Sequence, residues 1–219
     1  VNDPLVTVVT SSWQRPTTIR DHACASIDRQ TYSNLQHLVV IDGDDQATED
    51  MLRSLGYSGD GQSPRRFVAL GRNWTPLYQA AGYGGNTGFL CGFGATARLA
   101  GSLLATGDLV AYLDDDNDYA ETHIAEMVAL FQDHPHIEFA LSGWEGHEIS
   151  PIPAVGHADT SGLMHRARLV MTHGGFDPRD GYEGDGQMLT RWAAAGVPWA
   201  AKPTGTFRLN GYHHGAPLG

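Results

Sequence analysis

The chain has 219 residues, 41% of them hydrophobic, and a formal net charge of −11. With an isoelectric point near 5.3, that balance argues against a nucleic-acid polyanion as partner and against docking on an anionic membrane through a basic patch. The length suits one large domain or two small halves sharing a sheet. No apolar run approaches the roughly 18 residues that span a bilayer, no signal peptide is expected, and two distant cysteines, Cys24 and Cys91, suit a reducing, cytoplasmic compartment better than a disulfide scaffold.

In chain order, Leu5-Val6-Thr7-Val8-Val9-Thr10 is a β-branched run and the first predicted strand. Ser11 to Pro16 breaks it. A helix is predicted from Thr17 or Thr18, with Asp21 as capping-box partner and Ile19, Ala23 and Ile27 facing the sheet. Leu38 to Ile41 is a second buried strand that ends in acid, Asp42-Gly43-Asp44-Asp45. A β-α-β unit of this kind opens a parallel, doubly wound sheet. Glu49 to Leu55 reads as a short helix ended by Gly56, Ser58 to Pro64 as a loop, and Arg66 to Leu70 as a third strand. Gly71 to Gly92 holds several glycines with Trp74, Tyr78 and Tyr83, shows no period, and is expected to be a long loop near the active site. A helix from about Ala95 to Ala105 follows, closed by Thr106-Gly107 in the manner of a C′ glycine.

Leu109 to Leu113 is an apolar run without charge, a strand buried on both faces. It runs into Asp114-Asp115-Asp116-Asn117-Asp118. Adjacent carboxylates repel unless they face water or hold a cation, and the carboxyl end of a strand in an open α/β sheet is where ligands commonly bind. Two of these oxygens on a divalent metal, with a phosphate completing the shell, uses the whole cluster; a solvated acidic turn is the plainer alternative. Asn117 and Asp118 are expected to cap the next helix or to support the acids from behind.

Beyond it, Ile124, Met127, Val128 and Phe131 recur at helical spacing, and His134-Pro135 closes that helix. Ile137 to Leu141 is predicted as a strand, Gly143 to His157 as irregular, Ser161 to Met164 as an edge strand and Ala167 to Thr172 as a short helix. A helix from about Asp185 to Ala195 carries Met188, Leu189 and Trp192 on one face, and Val197 to Ala201 and Thr204 to Leu209 look like two late strands.

Five segments in order carry a family likeness: Thr10 to Arg15 after the first strand; Gln30-Thr31-Tyr32-Ser33-Asn34 with Val39-Val40-Ile41-Asp42-Gly43; Ala97-Arg98-Leu99-Ala100-Gly101 through Gly107-Asp108; Asp114-Asp115-Asp116; and Gly174-Gly175-Phe176-Asp177 with Gly184-Asp185 and Leu189. Together they resemble the family 2 glycosyltransferases, inverting nucleotide-sugar enzymes of GT-A fold. Leu99 stands where that family usually has Asn, and Gly184 where it usually has Glu.

The resemblance implies a single GT-A domain with a Rossmann-like, doubly wound mixed sheet, residues of about 1–118 holding the nucleotide sugar and about 119–219 the acceptor. It implies metal-dependent transfer of a sugar from a nucleotide diphosphate sugar, UDP-sugar by default, to a carbohydrate or other hydroxyl acceptor, with Mn²⁺ or Mg²⁺ as cofactor. Thr10, Arg15, Asp42, Arg98, Asp114 and Asp115 are then expected to bind the nucleotide, Asp42 by accepting the ring N–H of the base. Asp116 is the expected metal ligand, completed by His214 or, alternatively, His213. Asp185 is the expected general base, with Glu183 as its rival, because inversion needs a carboxylate opposite the departing diphosphate. Trp144, Tyr182 and Glu183 are expected on the acceptor side, and the Gly71 to Gly92 loop as a lid. Two other readings stay open: a nucleotidyltransferase on a related scaffold, although Ser11 to Pro16 lacks the glycines of a triphosphate loop, and a non-catalytic nucleotide- or carbohydrate-binding module.

Overall fold

Alternation of β-branched residues divides the protein into a central sheet and two cores. A computed structural model describes residues 3–61, 63–82, 94–146 and 151–210. Its strands are β1 (Val6–Ser12), β2 (Leu35–Ile41), β3 (Arg65–Ala69), β4 (Leu109–Tyr112), β5 (Asp118–Tyr119), β6 (Phe139–Trp144), β7 (Leu163–Arg166) and β8 (Trp199–Arg208). Among the described residues they form one sheet in the order β3-β2-β1-β4-β7-β6-β8-β5. The first four run parallel, with Val6 opposite both Leu35 and Leu109. β7 is antiparallel to β4 and to β6, so β6, and β8 parallel to it, point the same way as β4. The mixed, doubly wound sheet expected from the sequence is the one observed.

Period-two alternation sends Val39 and Ile41 of β2 to one face and Leu38 and Val40 to the other, and β4 splits Leu109 and Ala111 from Val110 and Tyr112 in the same way. The first face is covered by α1 (Pro16–Ile19), a π-helical turn Arg20–Cys24, α2 (Ala25–Asp28), α3 (Gln46–Ser54) and α6 (His123–Asp133). The second is covered by α5 (Ala95–Leu104), α7 (Arg168–His173) and α8 (Gly184–Ala194), whose Met188, Leu189 and Trp192 are wholly buried. α4 (Thr75–Ala80) lies in the segment expected to be irregular. No described helix is long and apolar enough to cross a membrane.

Several local expectations are corrected. β1 extends two residues further, to Ser12. The first helix starts on Pro16, whose missing N–H suits the first turn; no capping box forms, because Thr18 then lies inside the helix, and the Asp21 carboxylate pairs with Arg20 at 2.7 Å. Asn117 and Asp118 do not cap α6, which begins at His123; Asp118 starts β5 and Asn117 turns inward. Within Gly71 to Gly92, Asn73 Oδ1 accepts the Thr75 N–H at 2.9 Å and opens α4; residues 83–93 lie outside the described residues. The two late strands are one. Between Ser142↔Lys202 and Gly143↔Gly205 the pairing slips, a register irregularity within one strand.

Gly107 does not end α5 as a left-handed C′ residue. It is glycine because a Cβ there would lie 2.6 Å from the Leu5 carbonyl oxygen and 2.8 Å from the Thr7 nitrogen, both backbone atoms at the start of β1. Gly101 does the same for α5, where a Cβ would meet Val9 Cγ1 at 2.3 Å. These close approaches set α5 and the entry of β4 against β1. Gly107→Ala is therefore expected to destabilise the fold by about 1–3 kcal/mol, measured as a lower urea midpoint at unchanged m-value.

Candidate active site

The carboxyl ends of β1, β2 and β4 meet where the strand order reverses, with β2 on one side of β1 and β4 on the other. After β1 the chain makes a tight turn through Gln14, which has a left-handed φ of 57°. Asp45 holds that turn, accepting the Gln14 N–H at 2.6 Å while also accepting the Thr48 hydroxyl at 2.6 Å and the Thr48 N–H at the start of α3. The turn delivers Arg15 to the tip of β4. One guanidinium nitrogen lies 2.7 Å from Asp115 Oδ1 and the other 2.9 Å from Asp116 Oδ2.

The three successive acids diverge. Asp115 points inward, takes the Ser12 hydroxyl at 2.8 Å as well as Arg15, and is pushed up to about 6 by burial, with Asp116 and Asp114 adding to the shift against Arg15 and Ser12. Asp116 stays at the surface of the tip. Asp114 turns to the second face and pairs with Arg98 of α5. Burial would lower the Arg98 pKa, but Asp114, Asp185 and Asp159 more than offset it, and the guanidinium stays charged over the Phe176 ring at 5.8 Å. The glycine-glycine motif thus serves this arginine: Phe176 lies beneath it, and a Cβ at Gly175 would meet Leu99 of α5 at 3.0 Å.

Asp42, at the end of β2, is 4% exposed and has one carboxylate oxygen without a hydrogen-bond partner among the described residues. Burial pushes it up to about 6, against the pull of Arg98 and of the Trp74 N–H. Next to it Gly43, with φ of 144°, lies under the indole of Trp13, whose Nε1 would be 3.0 Å from a Cβ there. Trp13 itself is 40% exposed.

On the second face the turn Thr160–Gly162, a single 3₁₀ turn before β7, touches both halves of the site. Thr160 donates its hydroxyl to Asp185 Oδ2 at 2.9 Å, and the other Asp185 oxygen takes the Gly186 N–H at 2.7 Å. Ser161 Oγ accepts the Asp114 N–H at 3.2 Å and the Asn117 side-chain amide at 2.9 Å. Asp159 caps the turn through the Ser161 N–H at 2.8 Å. Burial, then Asp114 and Asp185, push Asp159 up to about 8, and burial raises Asp185 as well.

Of the expected residues, Arg15, Asp42, Arg98, Asp114, Asp115, Asp116 and Asp185 are thus placed around these strand ends. Thr10 is not at the tip: it is wholly buried within β1, its hydroxyl 3.0 Å from His37 Nε2, and the strand's two extra residues put Ser12 there instead. Trp144 packs on Phe207 with the first core, whereas Asp185 heads the helix that covers the second, so its ring is used in packing. His213 and His214 lie outside the described residues, as do the side chains of Tyr182 and Glu183. Sequence reading missed Ser12, Asp159, Thr160 and Ser161; the Asp-x-Ser spacing of a side-chain-capped turn was the available signal.

Asp42, Asp114, Asp115, Asp116, Asp159 and Asp185 face two guanidiniums, Arg15 and Arg98. Such an excess of oxygen donors fits a hard divalent cation held by one or two carboxylates together with substrate phosphates. Among the described residues no three His, Cys, Asp or Glu side chains converge as a complete protein shell.

No protein-family model and no curated protein sequence matches the chain. Among solved structures, the mannosyltransferase PcManGT from Pyrobaculum calidifontis, in complex with GDP-Man and Mn²⁺, is similar with a TM-score of 0.72 at 17% identity, over 99% of this chain and 59% of that one. S. aureus TarS residues 1–349 are similar with a TM-score of 0.62 at 13% identity, over 85% of this chain and 54% of that one. The same TarS fragment in complex with UDP-GlcNAc gives a TM-score of 0.59 at 14% identity, over 85% of this chain and 52% of that one. The chain spans little more than half the length of PcManGT and of the TarS fragment, and a third of the longer TarS chain. The likeness is one of fold, and the fold is that of the GT-A glycosyltransferases.

Proposed function

We propose that the chain is an inverting, family 2-like glycosyltransferase that moves a sugar from a nucleoside-diphosphate sugar to an acceptor hydroxyl. The carrying observation is the convergence, in a GT-A fold, of an unpartnered buried Asp42 oxygen, the arginine-held acids of the β4 tip, and the buried Asp185 carboxylate. PcManGT carries GDP-Man and Mn²⁺, and TarS carries UDP or UDP-GlcNAc; UDP-sugar is the default donor here, with GDP-sugar next to it.

In this reading the Asp42 oxygen accepts the base ring N–H, and Trp13 lies beside the base. Asp114 reaches the ribose or the donor sugar, while Arg15 and Arg98 face the diphosphate. Asp116, with His214 or His213, would hold Mn²⁺ or Mg²⁺, which neutralises charge on the departing diphosphate when bound. Asp185 takes the proton of the acceptor hydroxyl as its oxygen bonds to the anomeric carbon; the carbon–oxygen bond to the diphosphate breaks, and its electron pair leaves with the diphosphate. Burial raises the basicity of Asp185, while the Thr160 and Gly186 donors favour its ionised form and aim it. We assign the chain to the cytoplasm, where buried Cys24 stays reduced.

UDP and GDP, each with and without Mn²⁺, are expected to raise the thermal midpoint, more with the cation; a ligand at a hundred times its Kd adds about 2.7 kcal/mol. No shift with any of them sinks the donor assignment. Asp185→Asn is expected to lower kcat by about 10²–10⁴-fold with the UDP-induced shift retained; if Glu183→Gln is dead instead and Asp185→Asn active, the base is Glu183. The buried charge of Asp42 disfavours the folded state above pH 6, a penalty relieved as pH falls through 6 toward 3.8. Asp42→Asn is therefore expected to raise the free protein's midpoint at pH 7.5 by about 2–4 °C while weakening UDP binding. Protonation removes the same charge, so wild-type UDP affinity should fall more steeply as pH drops through about 6 than that of Asp42→Asn.

A further inference from the structure

Two consecutive side chains of the turn at Asp159–Ser161 reach opposite halves of the site. Thr160 is 6% exposed and Ser161 is wholly buried, so neither hydroxyl is a surface group that happens to find a partner. Their partners sit on different elements: Asp185 on α8, and the Asp114 backbone and Asn117 amide just past β4. The Asp114 and Ser161 residues are 47 positions apart, and Thr160 and Asp185 are 25 apart. Asp159 closes the turn on itself, and β7 carries it directly into the antiparallel ladder with β4, where Met164 faces Ala111.

We infer that Asp159-Thr160-Ser161 is a positioning clamp: Thr160 aims the Asp185 carboxylate, Ser161 fixes the acidic tip of β4, and their shared backbone locks the acceptor-side base in register with the donor-side acids. This rests on the base assignment made above. A proton acceptor and a departing diphosphate must lie on opposite sides of one carbon, so an error of about 1 Å between them lowers rate by roughly 10²-fold. A rigid two-residue link between the groups is a direct way to hold that distance. Thr160 is a positioning residue here and not a catalytic one.

The test compares wild type, Thr160→Val, Thr160→Ser and Asp185→Asn as full chains, with UDP-GlcNAc and GDP-mannose plus Mn²⁺ as probes. Nucleoside diphosphate release and the UDP-induced thermal shift are both followed. Thr160→Val is expected to lower kcat by about tenfold or more with donor KM changed by less than about twofold, and Thr160→Ser to restore it. The groups facing Asp185 are Asp114 from the β4 tip, Asp159 from the turn and Arg98 from α5. Among them the Thr160 hydroxyl favours the ionised form, so its loss should move the acid limb of the kcat profile to higher pH. An NMR titration of ¹³C-carboxyl-labelled Asp185, needing no turnover, should show the same upward shift. An unshifted Asp185 titration in Thr160→Val, or a fall in kcat and donor affinity together that Ser does not rescue, overturns the clamp. If Asp185→Asn is dead while Thr160→Val matches wild type, the clamp alone fails; if Asp185→Asn turns over normally, the base assignment fails and takes the clamp with it.

Discussion

Everything at the site depends on holding several carboxylates in a small, partly buried volume with two guanidiniums between them. Two like charges 4 Å apart repel by about 4 kcal/mol at an effective dielectric of 20. Parallel strands make this crowding unavoidable, because β2 and β4 flank β1 and both end in acid at the same edge. Arg15 and Arg98 resolve it by separation. One draws Asp115 and Asp116 to the tip between β1 and β4; the other draws Asp114 onto the face covered by α5. What remains uncompensated is concentrated at Asp42, Asp159 and Asp185, whose carboxyls are all held above the ordinary range by burial. A site with that surplus is built to receive positive charge or hydrogen-bond donors from a ligand.

The arginines are placed by devices that have nothing chemical to do. Arg15 follows a left-handed Gln14 whose N–H is taken by the cap of α3, so the base of one helix fixes the guanidinium of the preceding loop. Arg98 sits on a helix that can approach β1 only because Gly101 leaves room for Val9, and it is backed by Phe176 from a distant glycine turn. Both guanidiniums are thus fixed in place by the fold itself. Gly101 and Gly175, both read as motif positions, are thereby explained by packing distance.

The sequence was read most accurately where periodicity is strong. The buried runs at 38–41 and 109–112, and the helical spacing of Ile124, Met127, Val128 and Phe131, lie in strands and a helix that bury them. It was read less well at boundaries set by distant partners. The capping box at Thr18 and Asp21 fell inside a helix that starts at Pro16, a helix formed at Thr75–Ala80 under an Asn73 cap, and two apparent strands joined through a slip in pairing after Lys202. Trp144 and Thr10, which chain order set beside the functional residues, are occupied by Phe207 and His37.

What the sequence alone determined is the layered sheet and the fact that acids gather at the ends of its second and central strands, since both follow from local hydrophobic period and from which residues end each run. What only the tertiary structure decided is which partner each acid takes. Asp114 with Arg98, Asp115 with Ser12 and Arg15, and Asp185 with Thr160 are pairs separated by 16, 103, 100 and 25 positions. Local propensity carries no record of contacts that form only when the elements bearing them have packed together.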